Sequence, residues 1–338
     1  MAACGAAPPD PSSRTLSDPD PEPRRAPLWQ WPLLANLMAP AVACAWLAGL
    51  AVVYKVYVPP LYFVLLAAAT WTVQAIDGLL DGWQPSDTRP QSPRARFHRR
   101  HRAWFLVLIP CVSVAGLLLA ATQATSTLVV AAGGLSVLVC LILLHAQAVR
   151  SASWTPVPTE AMAGALFAVG TMLPVLDLRG RFPFADPAGL AMAVDNGIPA
   201  FLRWLGLLVL ETVGATTYEP ATWWLVLLFT TNRLLSTAHA TPGRGTVDPG
   251  PAKPAVPLSV RLAPWLAALL ACGGLALAWI SPQASSRLFL FLAGLCAGLM
   301  FVVHLLARMG VLPAGVACLL LDCALLAPIG LLGRALHG

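Results

Sequence analysis

The chain has 338 residues, of which 58% are hydrophobic and only 11% charged, with a mean hydropathy of +0.73. A soluble domain carries about 25% charged residues, so this composition excludes a soluble globular enzyme and points to an integral membrane protein. The formal charge of +6 is ordinary for a membrane protein with basic loops and gives no reason to expect nucleic-acid binding.

The first 28 residues, with PPDPSS and DPDPEPRR, are rich in proline and aspartate and predict a disordered cytoplasmic tail. They lack the basic-then-apolar order of a cleavable signal peptide. Residues 29–338 read as a single transmembrane domain, an all-α polytopic bundle. Apolar blocks of about 20 residues, the length that crosses a bilayer as helix, predict spans at Trp31–Val56, Leu61–Trp83, Trp104–Ala121, Thr127–Val149 and Glu160–Leu178. Four more follow at Trp223–Ala238, Leu258–Ile280, Leu288–Arg308 and Leu312–Leu336, giving about nine in all. The shorter apolar piece Ile198–Val213 reads as interfacial or re-entrant, because a tenth crossing would spoil the alternation of basic loops.

That alternation sets orientation. With the N-terminus inside, Arg24, Arg25, the basic residues from Arg89 through Arg102, Arg150, Arg233, Arg244, Lys253, Arg261 and Arg308 all fall on the cytoplasmic side. The eight cysteines lie mostly inside apolar spans without CxxC spacing, which argues against zinc or a disulfide framework.

Charge is concentrated at one place. Asp77 and Asp81 are one helical turn apart, on one face of the second predicted span. A carboxylate in or near hydrocarbon costs about 2.5 kcal/mol or more, so a matched pair wants a cation. Two acids aimed at a phosphorylated group suit Mg²⁺, a hard ion that bridges carboxylate and phosphate oxygens, and Asp87 adds a third carboxylate from the loop. Gly78 and Gly82 lack side chains beside the acids, which lets backbone or ligand approach. The tract RARFHRRHR follows, and its guanidinium forks fit phosphate oxygens; it equally suits a topology anchor against anionic headgroups. Asn232 and Arg233, at the cytoplasmic end of the sixth span, lie on the same side and face the acids across one predicted cavity. Glu160 opens the fifth span on that side, where an acid also favours the helix dipole. Asp322 and His304 are intramembrane polar groups, for which a functional role and a structural hydrogen bond are both open.

Nine spans, an acidic motif closing the second and a polar segment closing the sixth resemble the UbiA superfamily of membrane prenyltransferases. Gln74-Ala75-Ile76-Asp77-Gly78-Leu79-Leu80-Asp81 keeps two acids of that family's first motif and lacks its Asn-Asp start. Where the family has a second DxxxD, this chain reads Asn232-Arg233-Leu234-Leu235-Ser236. The resemblance implies a bacterial cytoplasmic-membrane protein that binds a prenyl diphosphate or other isoprenoid lipid and transfers the prenyl group to an acceptor. Asp77 and Asp81 would be catalytic and hold Mg²⁺ with Asp87. Arg94, Arg96, Arg99, Arg100, Asn232 and Arg233 would contact the substrate, the basic groups standing in for the second metal ion that the missing acids would hold. The alternative is a catalytically inactive isoprenoid- or lipid-binding, or transport, protein on the same scaffold. CDP-alcohol phosphotransfer is disfavoured, since DGLLDG lacks the Ala-Arg and later aspartates of that motif.

Overall fold

A computed structural model describes residues 30–83, 93–125, 159–180, 187–217, 219–240 and 258–331, with scattered positions between 128 and 139. The N-terminal tail, Asp87 and most of the fourth predicted span lie outside the described residues. Every regular element among them is helical. In chain order these are α1 (Trp31–Leu34), α2 (Met38–Tyr54), α3 (Pro60–Trp83), α4 (Pro93–Arg100), α5 (Arg102–Gln123) and α6 (Thr159–Leu178). There follow α7 (Pro187–Asp195), α8 (Ile198–Thr217), α9 (Pro220–Ala240), α10 (Leu258–Ile280), α11 (Ala284–Arg308), α12 (Ala314–Ala324) and a 3₁₀ turn at Ala327–Leu331.

Among the described residues, six stretches are long and apolar enough to cross a membrane: Pro60–Gly82, Arg102–Gln123, Glu160–Leu178, Val260–Ile280, Ala284–Arg308 and Ala314–Leu331. The chain is an integral membrane protein. α2 is apolar but only 17 residues long, and α9 carries Asn232 and Arg233 along its length.

Two expectations are corrected by the helix boundaries. The first predicted span is not continuous: Asn36 adopts a left-handed backbone with φ 60° between α1 and α2. Pro40 has no N–H to offer the carbonyl four residues back, and asparagine tolerates the left-handed region, so the chain breaks there. The arginine tract, expected as loop, forms α4.

Helix ends sort onto two faces. On one face Glu219, just before α9, accepts from Tyr54 Oη at 3.0 Å and pairs with Arg179 Nη1 at 2.8 Å. The Arg179 guanidinium also lies 4.6 Å from the Tyr54 ring centre. Beside them Asp177 Oδ2 accepts from Thr125 Oγ1 at 2.7 Å and Tyr62 Oη at 3.3 Å. These bonds gather the ends of α2, α5 and α6 with the starts of α3 and α9. The other end of the same helices, where α3, α9 and α11 finish and α6 and α12 begin, is called the site face below. α7 and α8, joined through Gly197 at φ 85°, lie between α6 and α9 in the chain and pack as a pair; α8 is a continuous helix of 20 residues, longer than the piece expected at Ile198–Val213.

The core is built around Trp46, whose ring meets Phe229 and Phe289 edge-on at 6.2 and 5.9 Å. Leu47, Leu50, Met172, Leu176, Leu225 and Met300 are fully buried with it. Lipid supplies no hydrophobic drive between helices, so close backbone approach matters. α10 and α11 touch at Gly274 and Gly294, where an added Cβ on Gly274 would sit 2.9 Å from both Gly294 Cα and Leu290 O. α6 and α9 meet at Gly164, where a Cβ would fall 2.7 Å from the Thr230 backbone nitrogen. α5, by contrast, turns Trp104, Val107, Leu117 and Leu118 outward.

A candidate anion site at the site face

The site begins with the two glycines of DGLLDG. They do not make room for a ligand here; they let α4 lie against α3. A Cβ on Gly78 would come 2.7–2.9 Å from three atoms of the His98 ring, and one on Gly82 would meet Ala95 O at 3.2 Å and Arg99 N at 3.3 Å. His98 is wholly buried and stacks on Phe105 with ring centres 4.3 Å apart.

The hydrogen bonds of His98 fix its tautomer. The Asn36 amide Nδ2 donates to the Gln74 carbonyl at 3.1 Å and lies 2.9 Å from His98 Nε2. An amide nitrogen can only donate, so Nε2 accepts, and the ring hydrogen on Nδ1 goes to the Arg94 carbonyl at 3.0 Å. The ring is therefore neutral. Burial pushes its pKa below the ordinary value, against the opposing pull of the bond to Arg94.

With His98 seated, α4 turns Arg94 inward. Its Nη2 donates to Gln74 O at 2.8 Å and Gln74 Oε1 at 3.1 Å, and lies 3.6 Å from Asp77 Oδ2. Burial lowers the Arg94 pKa. Asp77 most strongly opposes that shift, Arg233 adds to it, and Asp81 and Asp322 act with Asp77. These charges from α3, α4, α9 and α12 thus share one electrostatic neighbourhood. Asn232, buried on α9, donates from Nδ2 to Asp322 Oδ1 at 2.9 Å.

The predicted residues separate into two groups. Asp77, Asp81, Arg94, Asn232 and Arg233 come together at the site face. Arg96, Arg99 and Arg100 are exposed on the other side of α4, where they face the surroundings of the bundle and not the acids. Asp87 lies outside the described residues. Glu160 is half-buried at the start of α6. Sequence reasoning missed Asn36, Gln74 and the positioning role of His98. An asparagine four residues before Pro40, inside an otherwise apolar stretch, was the available signal for the first.

Among the described residues no group of three or more His, Cys, Asp or Glu side chains converges as a metal cage. Asp77 and Asp81 nonetheless offer hard carboxylate oxygens on one turn. This fits Mg²⁺ held by one or two carboxylates together with phosphate oxygens, the usual manner for that ion. No family model, no curated protein and no solved structure matches this chain.

Proposed function

We propose that the chain is a UbiA-like prenyltransferase or a close relative that binds a prenyl diphosphate at the site face, on the cytoplasmic side of the membrane. One observation carries the reading: α4 delivers the Arg94 guanidinium to Asp77, within electrostatic range of Arg233. Arginine pairs bidentately with phosphate oxygens, so the cluster suits the phosphorylated head of an isoprenoid lipid.

In this reading Arg94 and Arg233 donate to the diphosphate, and the departing group keeps those contacts as its charge grows. Asp77 and Asp81 would hold Mg²⁺, which when bound supplies further positive charge to the leaving diphosphate. Asn232, anchored on Asp322, orients the phosphate edge. Apolar side chains around the prenyl tail would keep water from the reacting carbon, so the prenyl group is passed to the acceptor and not hydrolysed. His98 and Gln74 contribute by positioning Arg94.

The test is Mg²⁺-dependent incorporation of radiolabelled geranylgeranyl diphosphate by membranes containing the protein. Wild type incorporates label, and Asp77→Asn, Asp81→Asn and Arg94→Met lose it. Equal incorporation by all four removes these residues from the mechanism. A second reading, a binder without turnover, is favoured by the Asn232–Asp322 bond standing where a second acidic pair would be needed. Its signature in the same membranes is retention of the diphosphate in EDTA with no product.

A further inference from the structure

Asn232, Ser236 and His239 recur at i, i+4 and i+7 on α9, so they share one helix face. This face meets α12 and α11 through polar contacts at three successive levels. Asn232 Nδ2 donates to Asp322 Oδ1 at 2.9 Å. One turn further on, Cys318 Sγ donates to the Ser236 carbonyl at 3.7 Å. At the end of α9, His239 Nε2 and His304 Nδ1 lie 3.1 Å apart. The seam runs about 10 Å from His239, at the end of α9, to Asn232, beside the anion site, at 1.5 Å per residue.

Three side-chain atoms along it are buried and have no hydrogen-bond partner among the described residues: Asn232 Oδ1, Ser236 Oγ and His304 Nε2. Asn232 and His304 are only 5% and 6% exposed. Buried polar groups without a protein partner are ordinarily satisfied by ordered water. An amide oxygen, a hydroxyl and a ring nitrogen at successive levels give such waters partners along the whole seam. The hydroxyl and the imidazoles can each both give and take a hydrogen bond, and the line ends at a carboxylate.

We infer that this seam is a hydrated proton path joining the Asp322 carboxyl, beside the anion site, to the end of α9 through Ser236 and the His304–His239 pair. With hydrogens on both Nε2 atoms, a proton arriving from bulk water at His239 Nδ1 releases the Nε2 proton to His304 Nδ1. His304 gives up its own Nε2 proton to seam water, and the chain of waters past Ser236 delivers one proton to an Asp322 oxygen. One O–H bond forms at Asp322, one proton leaves bulk water, and no electron moves; outward transfer is the reverse. The charged and titratable groups facing Asp322 are Arg94, Arg233, Cys318 and Cys323, and those facing His304 are His239 and Arg308. One use of the path, unlike the path itself, rests on the prenyl-transfer reading: the acceptor's proton must leave, and Asp322 is the carboxylate placed to receive it.

The test needs no prenyl substrate, so its result is separable from that reading. The full chain in lipid nanodiscs is moved from H₂O to D₂O, or through a pH step, while infrared spectroscopy follows the carboxyl C=O stretch. We expect a band that disappears in Asp322→Asn and whose exchange slows about tenfold or more in Ser236→Ala and His304→Ala. Added imidazole should restore the rate in His304→Ala, which a purely structural role for His304 would not allow. Should His304→Ala not fold, His239→Gln at the half-buried end of the seam takes its place. Absence of an Asp322-dependent band, or wild-type exchange in the seam variants, overturns the inference.

Discussion

Gly78→Ala tests the arrangement that seats α4. The added methyl would lie 2.7–2.9 Å from three His98 ring atoms. The ring has no slack, because it is held at both nitrogens and stacked on Phe105. Overpacking of a fixed neighbour costs about 1–3 kcal/mol, and expelling the ring forfeits two hydrogen bonds worth about 1 kcal/mol each. Alanine's better helix propensity returns about 1 kcal/mol. The strained and the expelled ring are alternatives, so the net is a loss of up to about 2 kcal/mol, read as the free energy of SDS-induced unfolding in mixed micelles. Gly116→Ala is the control, since its methyl meets only Ala68 Cβ at 4.0 Å; it should be neutral or slightly stabilising. In the double variant with His98→Ala the two effects should couple by more than about 1 kcal/mol. Gly78→Ala unfolding like Gly116→Ala would refute the claim that His98 seats α4 on α3.

Three further outcomes are expected. Because the folded protein holds His98 neutral, its pKa is lowered on folding. The unfolded state therefore takes up the proton first as pH falls through about 6.5. Stability is fully present above that pH and declines below it, and His98→Gln should flatten this part of the pH–stability profile; parallel profiles would count against the buried neutral ring. Asn232→Leu leaves the Asp322 carboxyl without its amide donor and should cost about 1–3 kcal/mol, part of which Asp322→Leu in the same chain recovers; strict additivity of the two would deny their pairing. Gly274→Ala places a methyl against backbone that cannot rotate aside, and should destabilise by about 1–3 kcal/mol relative to Gly298→Ala, whose methyl meets Ala271 Cβ at 3.8 Å. Equal unfolding of those two variants would contradict the close α10–α11 contact.

Much of the bundle was legible in the chain because a bilayer demands long apolar helices. The predicted Leu258–Ile280 coincides with α10, and Leu61–Trp83 differs from α3 by one residue. The Asp77–Asp81 spacing was legible too, since a four-residue interval on a helix fixes a common face. α4 was not. PRARFHRR has no apolar stripe to announce a helix, and its order comes from Ala95 and His98 resting on Gly78 and Gly82 across the chain. This tertiary contact also divides the arginines, sending Arg94 in and Arg96, Arg99 and Arg100 out, which composition cannot do. Asp322 stood out as an intramembrane acid, but its partner Asn232 is 90 residues away, and only the packing of α9 against α12 joins them.

The glycine contact between α10 and α11 bears on how the protein is made. These neighbours are joined by only Ser281, Pro282 and Gln283, and their tightest approach, Gly274 to Gly294, lies near that connection. The two helices can close into a hairpin as soon as both have been inserted, with little loop entropy to overcome. The α6–α9 contact at Gly164 and Thr230 has a much longer intervening stretch to bring together. The half that carries the acids is synthesised first, and this ready local unit joins it late.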